Sequence, residues 1–299
     1  MRCKLCHQSA VYAPLRFCKE HFLAYYEKKV RHYFESTHVH NVKVLVAISG
    51  GKDSGALAAV LVKIKDDFGL ELGLFTINLH ITDYSEKGLA VARELSEKFN
   101  IPLIVEDLQD HPHQIPYYAG PGTKPCGPCG TIKRYLLNKA AVERNFDYIA
   151  TGHNLDDEFY FAMHSLFHRD VKQLRRSAKI LPPKPEQRLA GRLKPLYYLT
   201  EKENRLYCLL KGVPHDAEEC PFSADNPQVQ FKVGIGGQVP RDEKKNLLKS
   251  VQELQEPALE IEAGGEAGQL HPCPACSYPT TSDKECAFCK LMEKKVVQK

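Results

Sequence analysis

The sequence predicts a doubly wound α/β domain with a parallel sheet over roughly residues 40–215, flanked by a metal-binding knuckle at each end. Three observations predict this architecture. Residues 42–48 form a continuous apolar run rich in valine, which is typical of a strand buried on both faces of a parallel sheet. Further strand-like runs alternate with segments of helical periodicity, as they do in doubly wound folds. Clusters of cysteine and histidine lie near both ends of the chain.

The elements of the domain follow one another in a regular order. A helix over residues 23–35 precedes the first strand, and a long loop covers residues 107–125. Ser85 is well placed to cap the second helix of the domain, because serine accepts hydrogen bonds from unpaired N–H groups at helix starts. After the first strand we predict strands at residues 71–79, 102–106 and 147–151, and helices at residues 54–67, 85–99, 128–145 and 155–167.

Four parts of the chain are predicted from this order. Residues 254–270 are acidic and contain a glycine pair, and we interpret them as a linker. The four parts are an N-terminal knuckle with its helix at residues 1–35, the α/β domain at residues 36–215, a helical extension at residues 216–262 and a C-terminal knuckle at residues 263–299.

The bulk composition is that of a soluble globular protein. The chain has 299 residues, of which 43% are hydrophobic and 26% are charged, and its net charge of +4 is mild. The longest apolar stretches, such as residues 56–62, are far shorter than the ~20 helical residues that span a bilayer. The first ten residues lack the apolar core that a signal peptide has. We therefore expect a cytoplasmic protein with no membrane partner.

Cysteine spacing predicts two structural metal sites. Eleven cysteines are many for a cytoplasmic protein, in which disulfides are disfavoured. Most of them form two sets of four ligands, with members two residues apart, and four protein ligands leave no open position on a tetrahedral ion. We therefore predict two Zn²⁺ ions. The ligands are Cys3, Cys6, Cys18 and His21 in the first set, and Cys273, Cys276, Cys286 and Cys289 in the second.

The loop SGGKDS after the first strand predicts a phosphate-binding site. It departs from the Walker pattern, because Val46 stands where that pattern needs glycine and Asp53 follows the Gly-Lys pair. Glycines let backbone N–H groups approach phosphate oxygens, and the start of the next helix adds positive potential. An aspartate among phosphates needs a cation, so we predict that Asp53 binds Mg²⁺ while Lys52 screens the phosphate charge. The alternative is a plain glycine turn between strand and helix.

Ligands of doubly wound folds lie at the carboxyl ends of the strands, which predicts the remaining nucleotide contacts. The residues after four strands converge there. The predicted ATP-binding residues are Ala47, Ser49, Gly50, Gly51, Lys52, Asp53, Ser54, Asn78, His80, Gly152 and His153.

The motif Cys126-Gly-Pro-Cys129 permits three interpretations. It is a redox disulfide pair, a third zinc site with Cys208, Cys220 or a histidine, or part of an iron–sulfur cluster completed by Cys220. The residues alone favour none of the three.

Five motifs together resemble the tRNA 2-thiolation branch of the PP-loop ATP pyrophosphatases, whose fold is adenine nucleotide alpha hydrolase-like. They are SGGKDS, PCGPCGTIKRYLL, TGHNLDDE, KPLYYLTEKE and ECPFS, framed by the two knuckles. The resemblance covers essentially the whole chain and is greatest to the TtuA-type branch, which thiolates ribothymidine in the tRNA T-loop. Wobble-uridine thiolases and the 2-thiocytidine enzyme are relatives. The latter has a second Cys-x2-Cys pair, where this chain has Cys220 and Ser223.

The resemblance implies roles for named residues. Cys126, Cys129 and Cys220 would hold a [4Fe–4S] cluster with one open iron. Cys208 fits neither constellation, and we expect it to be an ordinary buried side chain. The catalytic residues would be Asp53, Lys133 and Asp157, with Lys133 on the same helical face as the cysteine four residues before it. The alternatives are a solvated lysine and a carboxylate that only caps its helix, and Asp156 and Glu158 flank the predicted aspartate.

A basic segment over residues 168–179 predicts contacts with tRNA phosphates. It carries five cations and one acid, Asp170. A solvated helix is the alternative. The cations are Arg169, Lys172, Arg175, Arg176 and Lys179.

The resemblance implies an ATP-dependent tRNA 2-thiouridine synthase. With ATP and Mg²⁺ it would adenylate the C2 oxygen of a uridine, and sulfur would then displace AMP. The sulfur would arrive on a ubiquitin-like carrier protein with a C-terminal thiocarboxylate, and the enzyme would be a homodimer. The alternatives are a wobble-uridine thiolase, a PP-loop amidotransferase or lysidine-type synthase with a nitrogen nucleophile, and a zinc-knuckle RNA-binding adaptor that is not an enzyme.

Overall fold

A six-stranded sheet forms the centre of the protein, in a computed structural model that describes residues 1–109, 115–118, 125–175, 178–223, 226–262 and 270–293. The strand order is β3-β2-β1-β4-β6-β5, and every pairing is parallel except that of the edge strand β5 with β6. The predicted doubly wound sheet is confirmed. The strands are β1 (Lys43–Ala47), β2 (Glu71–Asn78), β3 (Leu103–Asp107), β4 (Tyr148–Ala150), β5 (Ile180–Leu181) and β6 (Gly191–Leu193).

Helices cover the sheet, and a short hairpin belongs to the C-terminal knuckle. The predicted helix at residues 155–167 has the predicted bounds, and the other predicted helices of the domain begin or end within three residues of their predicted limits. The helices are α1 (Lys19–Thr37), α2 (Lys52–Phe68), α3 (Thr82–Phe99), α4 (Cys126–Glu143), α5 (Leu155–Phe167), α6 (Val171–Arg175), α7 (Glu201–Lys211), α8 (Pro227–Val233), α9 (Ile235–Gln238), α10 (Arg241–Glu262) and α11 (Ala287–Glu293), and the hairpin strands are β7 (His271–Pro272) and β8 (Pro279–Thr280).

Strand β1 is buried on both faces, as its apolar sequence predicts. Successive side chains of a strand point to opposite faces, so Val44 and Val46 join one core cluster and Leu45 joins the other. The first cluster includes side chains of α1, α2 and α7, and the second includes Ile132 and Leu136 of α4. The order of the strands reverses between β1 and β4, which places the topological switch point at their carboxyl ends.

Helix α1 packs against the α/β domain and reaches toward the switch point. Tyr26 is fully buried, stacks on Tyr207 with 4.0 Å between ring centroids, and donates a hydrogen bond of 2.7 Å to Oδ1 of Asn204. The amide of that asparagine is thereby oriented with its Nδ2 free to donate elsewhere. The division of the chain into four parts stays a prediction.

Two local predictions are wrong. Helix α3 begins at Thr82 after the N-cap Ile81, so Ser85 lies one turn inside the helix. Its hydroxyl still stabilises the start of α3, because it accepts a 2.9 Å hydrogen bond from the N–H of Ile81. The predicted linker is also wrong over residues 254–262, which extend α10, since leucine, glutamate and alanine favour a helix there. Residues 263–269 lie outside the described part of the chain.

No helix within the described ranges is both long enough and apolar enough to cross a membrane.

Candidate active site

The loop between β1 and α2 forms a cradle at the switch point. Gly50 has a φ of +87°, which only glycine adopts readily, and α2 begins two residues later. The hydroxyl of Ser54 accepts a 3.2 Å hydrogen bond from the N–H of Ser49 and donates one of 2.9 Å to the carbonyl of Gly51. The loop is thus closed on itself and adjoins the N-terminus of α2, which is the arrangement that binds phosphate.

Two glycine contacts clamp this loop from outside. A Cβ atom at Gly50 would lie 2.5 Å from Cα of Gly88 in α3, and one at Gly152 would lie 3.0 Å from the carbonyl carbon of Asp53. Both contacts are with backbone, which cannot move aside as a flexible side chain can. The loop is therefore held between α3 and the turn that follows β4.

We expect alanine at Gly50 to weaken ATP binding by about tenfold or more, which corresponds to about 1.4 kcal/mol. The new methyl group collides with the backbone of Gly88 and displaces the loop. Gly212→Ala is the matched control, because Gly212 also has a positive φ (57°) but a Cβ there meets nothing within 4 Å. Calorimetric titration with ATP measures the effect, and equal affinity in the two variants would contradict the clamp.

Asp53 is held in one orientation by its neighbours. Its Oδ1 accepts hydrogen bonds from Nδ2 of Asn204 (2.7 Å) and Nδ2 of Asn154 (3.1 Å), and its Oδ2 lies 3.3 Å from Nζ of Lys52. Burial raises the pKa of Asp53, and the charge of Lys52 opposes this rise. A carboxylate fixed at the phosphate loop is a donor that fits Mg²⁺, which prefers oxygen ligands.

Lysines and carboxylates alternate beside the loop, where α2, α5 and α7 begin. Nζ of Lys52 lies 2.6 Å from Oε1 of Glu201, and Lys232 from α8 pairs with Oε2 of Glu201 at 3.4 Å and with Asp157. Burial alone would lower the pKa of Lys232, but the nearby carboxylate of Asp157 outweighs it and the pKa is raised. Both lysines are therefore cations beside the phosphate cradle.

Asp157 combines a capping role with membership of this network. Its Oδ2 accepts a 3.0 Å hydrogen bond from the N–H of Asn154, the N-cap of α5, in a reciprocal capping box. Its Oδ1 accepts hydrogen bonds from Nε2 of Gln228 (2.8 Å) and Nζ of Lys232. Asp157 can therefore cap α5 and belong to the active site at the same time.

The two acids beside Asp157 have other partners. Asp156 binds Nζ of Lys244 at 2.6 Å, and Glu158, whose side chain is fully buried, lies 2.8 Å from Nζ of Lys194. These pairs attach α5 to α10 and to the segment after β6. Among the three acids at the start of α5, Asp157 is the one whose carboxylate pairs with Lys232.

Asn78 and His80 join the ends of β2 and β3. Nδ2 of Asn78 donates to Glu86 (2.9 Å) and to Asp107 (3.2 Å), and its Oδ1 accepts from the N–H of His80. Nε2 of His80 lies 2.5 Å from Oδ1 of Asp107. The Asn78 amide is thus occupied by protein groups, and the His80 ring is occupied by Asp107.

His153 follows β4 directly after the glycine that contacts the loop. Burial lowers the pKa of His153 to about 4, so its ring is neutral at neutral pH. Nδ1 lies 2.8 Å from the hydroxyl of Thr151, which fixes the orientation of the ring. The residue therefore brings no charge to the site.

A pocket connects the loop with Lys133 on α4. Its polar groups are few and its walls are mostly apolar, as is typical of small-molecule sites. Lys133 of α4 and Ser49 of the loop both line it. The residues that line it are Ala47, Ile48, Ser49, Phe75, Thr76, Ile77, Leu79, Tyr84, Ser85, Gly88, Leu89, Lys133 and Leu137.

The structure brings the three predicted cluster cysteines together near this lysine. Cys126 and Cys129 lie in the first turn of α4, which begins two residues earlier than predicted, and Sγ of Cys126 is 3.6 Å from the carbonyl of Phe222. Cys129 and Cys220 pack against the same core cluster. Burial raises the pKa of Cys129, and Lys133 opposes the rise by its charge and by a hydrogen bond. The charges of Cys126 and Cys220 also act on the Cys129 thiol, and three neighbouring thiols are the type of donor that holds a [4Fe–4S] cluster.

The phosphate loop is connected to the third cysteine through the backbone. The N–H of Asp216 donates a 2.8 Å hydrogen bond to the carbonyl of Gly50, and the two segments form a parallel bridge. Cys220 follows four residues later. A shift of the loop would therefore be transmitted to the segment that carries this thiol.

Each terminal ligand set is compact enough for a single ion, since its four donor atoms all lie within 4.8 Å of one another. In the first set Nδ1 of His21 lies 3.1 Å from Sγ of Cys18, and in the second Sγ of Cys276 lies 3.7 Å from Sγ of Cys286. Tetrahedral zinc with Zn–S bonds of about 2.3 Å places its ligands at such separations. Both donor sets fit the predicted metal.

The basic segment predicted to contact tRNA is divided into short elements. Helix α5 ends before it, Arg169 has a φ of +55° and is exposed, and the short α6 follows. The carbonyl of Lys179 accepts a 2.7 Å hydrogen bond from the hydroxyl of Tyr33. Arg176 and the side chains of Lys172 and Arg175 lie outside the described part of the structure, so the tRNA contact stays a prediction.

Five residues of the site were not predicted from the sequence. Two had a local signal, because Asn154 begins a capping box at the start of α5, and Glu201 directly follows Thr200, which begins a capping box at the start of α7. The others come from distant parts of the chain and had no signal of their own. The five residues are Asn154, Glu201, Asn204, Gln228 and Lys232.

The parallel sheet, the glycine cradle and the aspartate at the start of α2 define a PP-loop nucleotide-binding protein. The sequence profile described as "PP-loop domain" matches residues 23–215. A tRNA-5-methyluridine(54) 2-sulfurtransferase from Thermus thermophilus is 34% identical over 304 residues, which cover 98% of this chain and 91% of that protein. The enzyme of the same name from Pyrococcus horikoshii is 32% identical, covering 97% of this chain and 93% of that protein.

A solved structure shows the same similarity. The U34-tRNA thiolase NcsA from Methanococcus maripaludis, solved with its [4Fe–4S] cluster, matches with a TM-score of 0.74 and 26% identity over 86% of this chain and 88% of that chain. The chain belongs to the PP-loop family of tRNA 2-thiolation enzymes.

Proposed function

We propose that the protein is an ATP-dependent tRNA 2-thiouridine synthase, which adenylates the C2 oxygen of a target uridine and then replaces that oxygen with sulfur. One observation carries the proposal. Lys133 lines the pocket that contains the phosphate loop and also contacts the thiol of Cys129, so the group that would bind ATP adjoins the group that would handle sulfur.

The target is proposed to be the uridine at position 54 of the tRNA T-loop. Two relatives that are 32% and 34% identical over nearly the whole chain are named for 5-methyluridine at that position. A wobble uridine is the second candidate, because the U34 thiolase has the same fold at 26% identity.

In the proposed first step the C2 oxygen attacks the α-phosphorus of ATP and pyrophosphate leaves. The backbone N–H groups of the loop and the ammonium groups of Lys52 and Lys232 stabilise the charge on the departing phosphates. The carboxylate of Asp53 would hold Mg²⁺ against them. Asn154 and Asn204 fix that carboxylate before the nucleotide arrives.

In the proposed second step a C–S bond forms at C2, and the C2–O bond breaks as AMP leaves. Cys126, Cys129 and Cys220 would hold a [4Fe–4S] cluster, which supplies one iron without a protein ligand for sulfur. Lys133 is positioned between the thiols and the pocket, where its charge stabilises the phosphate of the departing AMP. Asp157 pairs with Lys232 and so fixes the position of that lysine.

The remaining partners and cofactors belong to the same proposal. Zn²⁺ occupies both terminal ligand sets, whose geometry it fits. A ubiquitin-like carrier protein with a C-terminal thiocarboxylate supplies the sulfur, and the enzyme is a cytoplasmic homodimer. We also propose that the chain consists of the four predicted parts and that the predicted site residues have the roles that the resemblance implies.

Nucleoside mass spectrometry tests the proposed function. The enzyme, loaded with iron and sulfide under anaerobic conditions, is incubated with tRNA, ATP and sulfide, and the tRNA is digested and analysed. We expect a 2-thiolated nucleoside that maps to position 54 and requires ATP. Absence of any sulfur-containing product would refute a thiolase. Release of pyrophosphate without sulfur incorporation would favour a PP-loop enzyme with a nitrogen nucleophile.

A further inference from the structure

A second cavity lies on the other side of α4, between that helix, strands β5 and β6, and the C-terminal knuckle. It encloses about 1010 Å³ and is open to solvent. Arg134 on α4, Arg192 on β6 and Lys184 before β6 line it, and all three are exposed. We call this cavity the α4 groove.

The α4 groove is positively charged. The residues that line it include no aspartate or glutamate, and its three cations make no ion pair with any residue that the structure describes. This contrasts with the lysines at the phosphate loop, each of which pairs with a carboxylate. Burial lowers the pKa of Arg192, and repulsion from the nearby charge of Arg134 lowers it further. An anion between them would remove that repulsion.

The walls of the α4 groove are fixed in place before any partner binds. The side chain of Asn138 on α4 donates a 3.0 Å hydrogen bond to the carbonyl of Arg188 and accepts one of 3.1 Å from the N–H of Ala190. Tyr135 stacks on Phe288 of α11 with 3.7 Å between ring centroids and an interplanar angle of 4°. Helix, sheet edge and knuckle are thus joined around the groove.

One helix separates the α4 groove from the active site. Lys133 and Leu137 line the pocket at the phosphate loop, whereas Arg134, Tyr135 and Asn138 line the groove. Neighbouring residues of a helix point about 100° apart, so the two sets lie on different faces of α4. A chain lying in the groove is therefore beside the helix that carries Cys126, Cys129 and Lys133.

We infer that the α4 groove binds the phosphate backbone of the RNA substrate. Guanidinium groups match the geometry of phosphate oxygens, and unpaired cations release counterions when a polyanion binds. The inference rests on the proposed function, since it identifies where that substrate lies, and it assigns to this groove a role that the sequence predicted for residues 168–179.

Binding of unmodified tRNA to Arg134→Ala and to the Arg134→Ala, Arg192→Ala double variant tests the inference. Each lost phosphate contact should lower the slope of log K against log salt by about 0.9 and weaken binding by about tenfold at moderate salt. Arg144→Ala is the matched control, because it removes the same charge from the exposed C-terminal end of α4, away from the groove. Unchanged ATP binding shows that each variant is folded.

Wild-type affinity and salt dependence in both groove variants would overturn the inference. It is overturned equally if the variants keep tRNA binding but lose only the use of sulfur from a carrier protein while using free sulfide normally, since the groove would then bind that protein. Formation of the thionucleoside by the wild-type enzyme is measured separately, so failure of the groove and failure of the proposed function are distinguishable.

Discussion

Substituting alanine for Cys220 is expected to abolish tRNA thiolation and to leave ATP binding intact. Cys126 and Cys129 share one helical turn, and Cys220 supplies the third thiol from a different part of the chain. Two cysteines of one turn do not retain a four-iron cluster that needs three thiolates. Cys220 is absent from the pocket at the phosphate loop, so ATP meets the same side chains in the variant.

The experiment compares Cys220→Ala with Cys208→Ser. Cys208 is the remaining cysteine outside the three ligand sets, is fully buried and donates weakly to the carbonyl of Lys52, which serine can also do. After anaerobic reconstitution we expect iron and acid-labile sulfide in the control and their loss in Cys220→Ala. Full thiolation by Cys220→Ala would exclude a cluster mechanism, and loss of zinc together with iron would indicate misfolding instead.

Substituting asparagine for Asp53 is expected to slow tRNA-dependent pyrophosphate release by about 10²–10³-fold, the cost of losing one preorganised electrostatic group. The side chain already accepts two amide hydrogen bonds on Oδ1, and an asparagine oxygen can replace this acceptor. The lost group is the charge of Oδ2 beside Lys52. The fold is therefore preserved while the binding of a divalent cation at the phosphates is weakened.

Asp156→Asn is the control for Asp53→Asn. Asp156 is also largely buried and paired with a lysine, Lys244 of α10, but it makes no hydrogen bond or ion pair with a loop residue among those that the structure describes. Pyrophosphate release is measured with a coupled assay at increasing Mg²⁺. Partial recovery of Asp53→Asn at high Mg²⁺ would support the metal role. Equal rates in the two variants would show that Asp53 has no special part in the first step.

The two variants separate the steps of the proposed reaction. Cys220→Ala should release pyrophosphate in the presence of tRNA but form no thionucleoside. Asp53→Asn should keep its iron and lose pyrophosphate release. If Cys220→Ala also loses pyrophosphate release, the backbone hydrogen bond between Asp216 and Gly50 offers the physical connection between the two sites.

Local sequence patterns were sufficient to predict the sheet, the phosphate loop and the two knuckles. A valine-rich run followed by two glycines favours a buried strand that ends at a turn, and the structure confirms residues 43–47 as that strand. Ligands two residues apart on a tight turn lie close to each other, so both terminal metal sites could be predicted from the spacing of their ligands. The linker prediction was wrong over residues 254–262, because the acidic and glycine content of the segment indicated a linker while most of its residues favour a helix.

The charge network around the loop was decided by tertiary structure alone. The hydrogen bond from Asn204 to Asp53 joins residues 151 positions apart, and that from Lys232 to Asp157 spans 75 positions. No periodicity or motif encodes such distances, because they depend on how α7 and α8 pack onto the sheet. The sequence by itself therefore determined which residues could bind phosphate, metal and sulfur. Packing decided which carboxylate and which lysine face one another, because side chains from separate helices meet only once those helices are buried together.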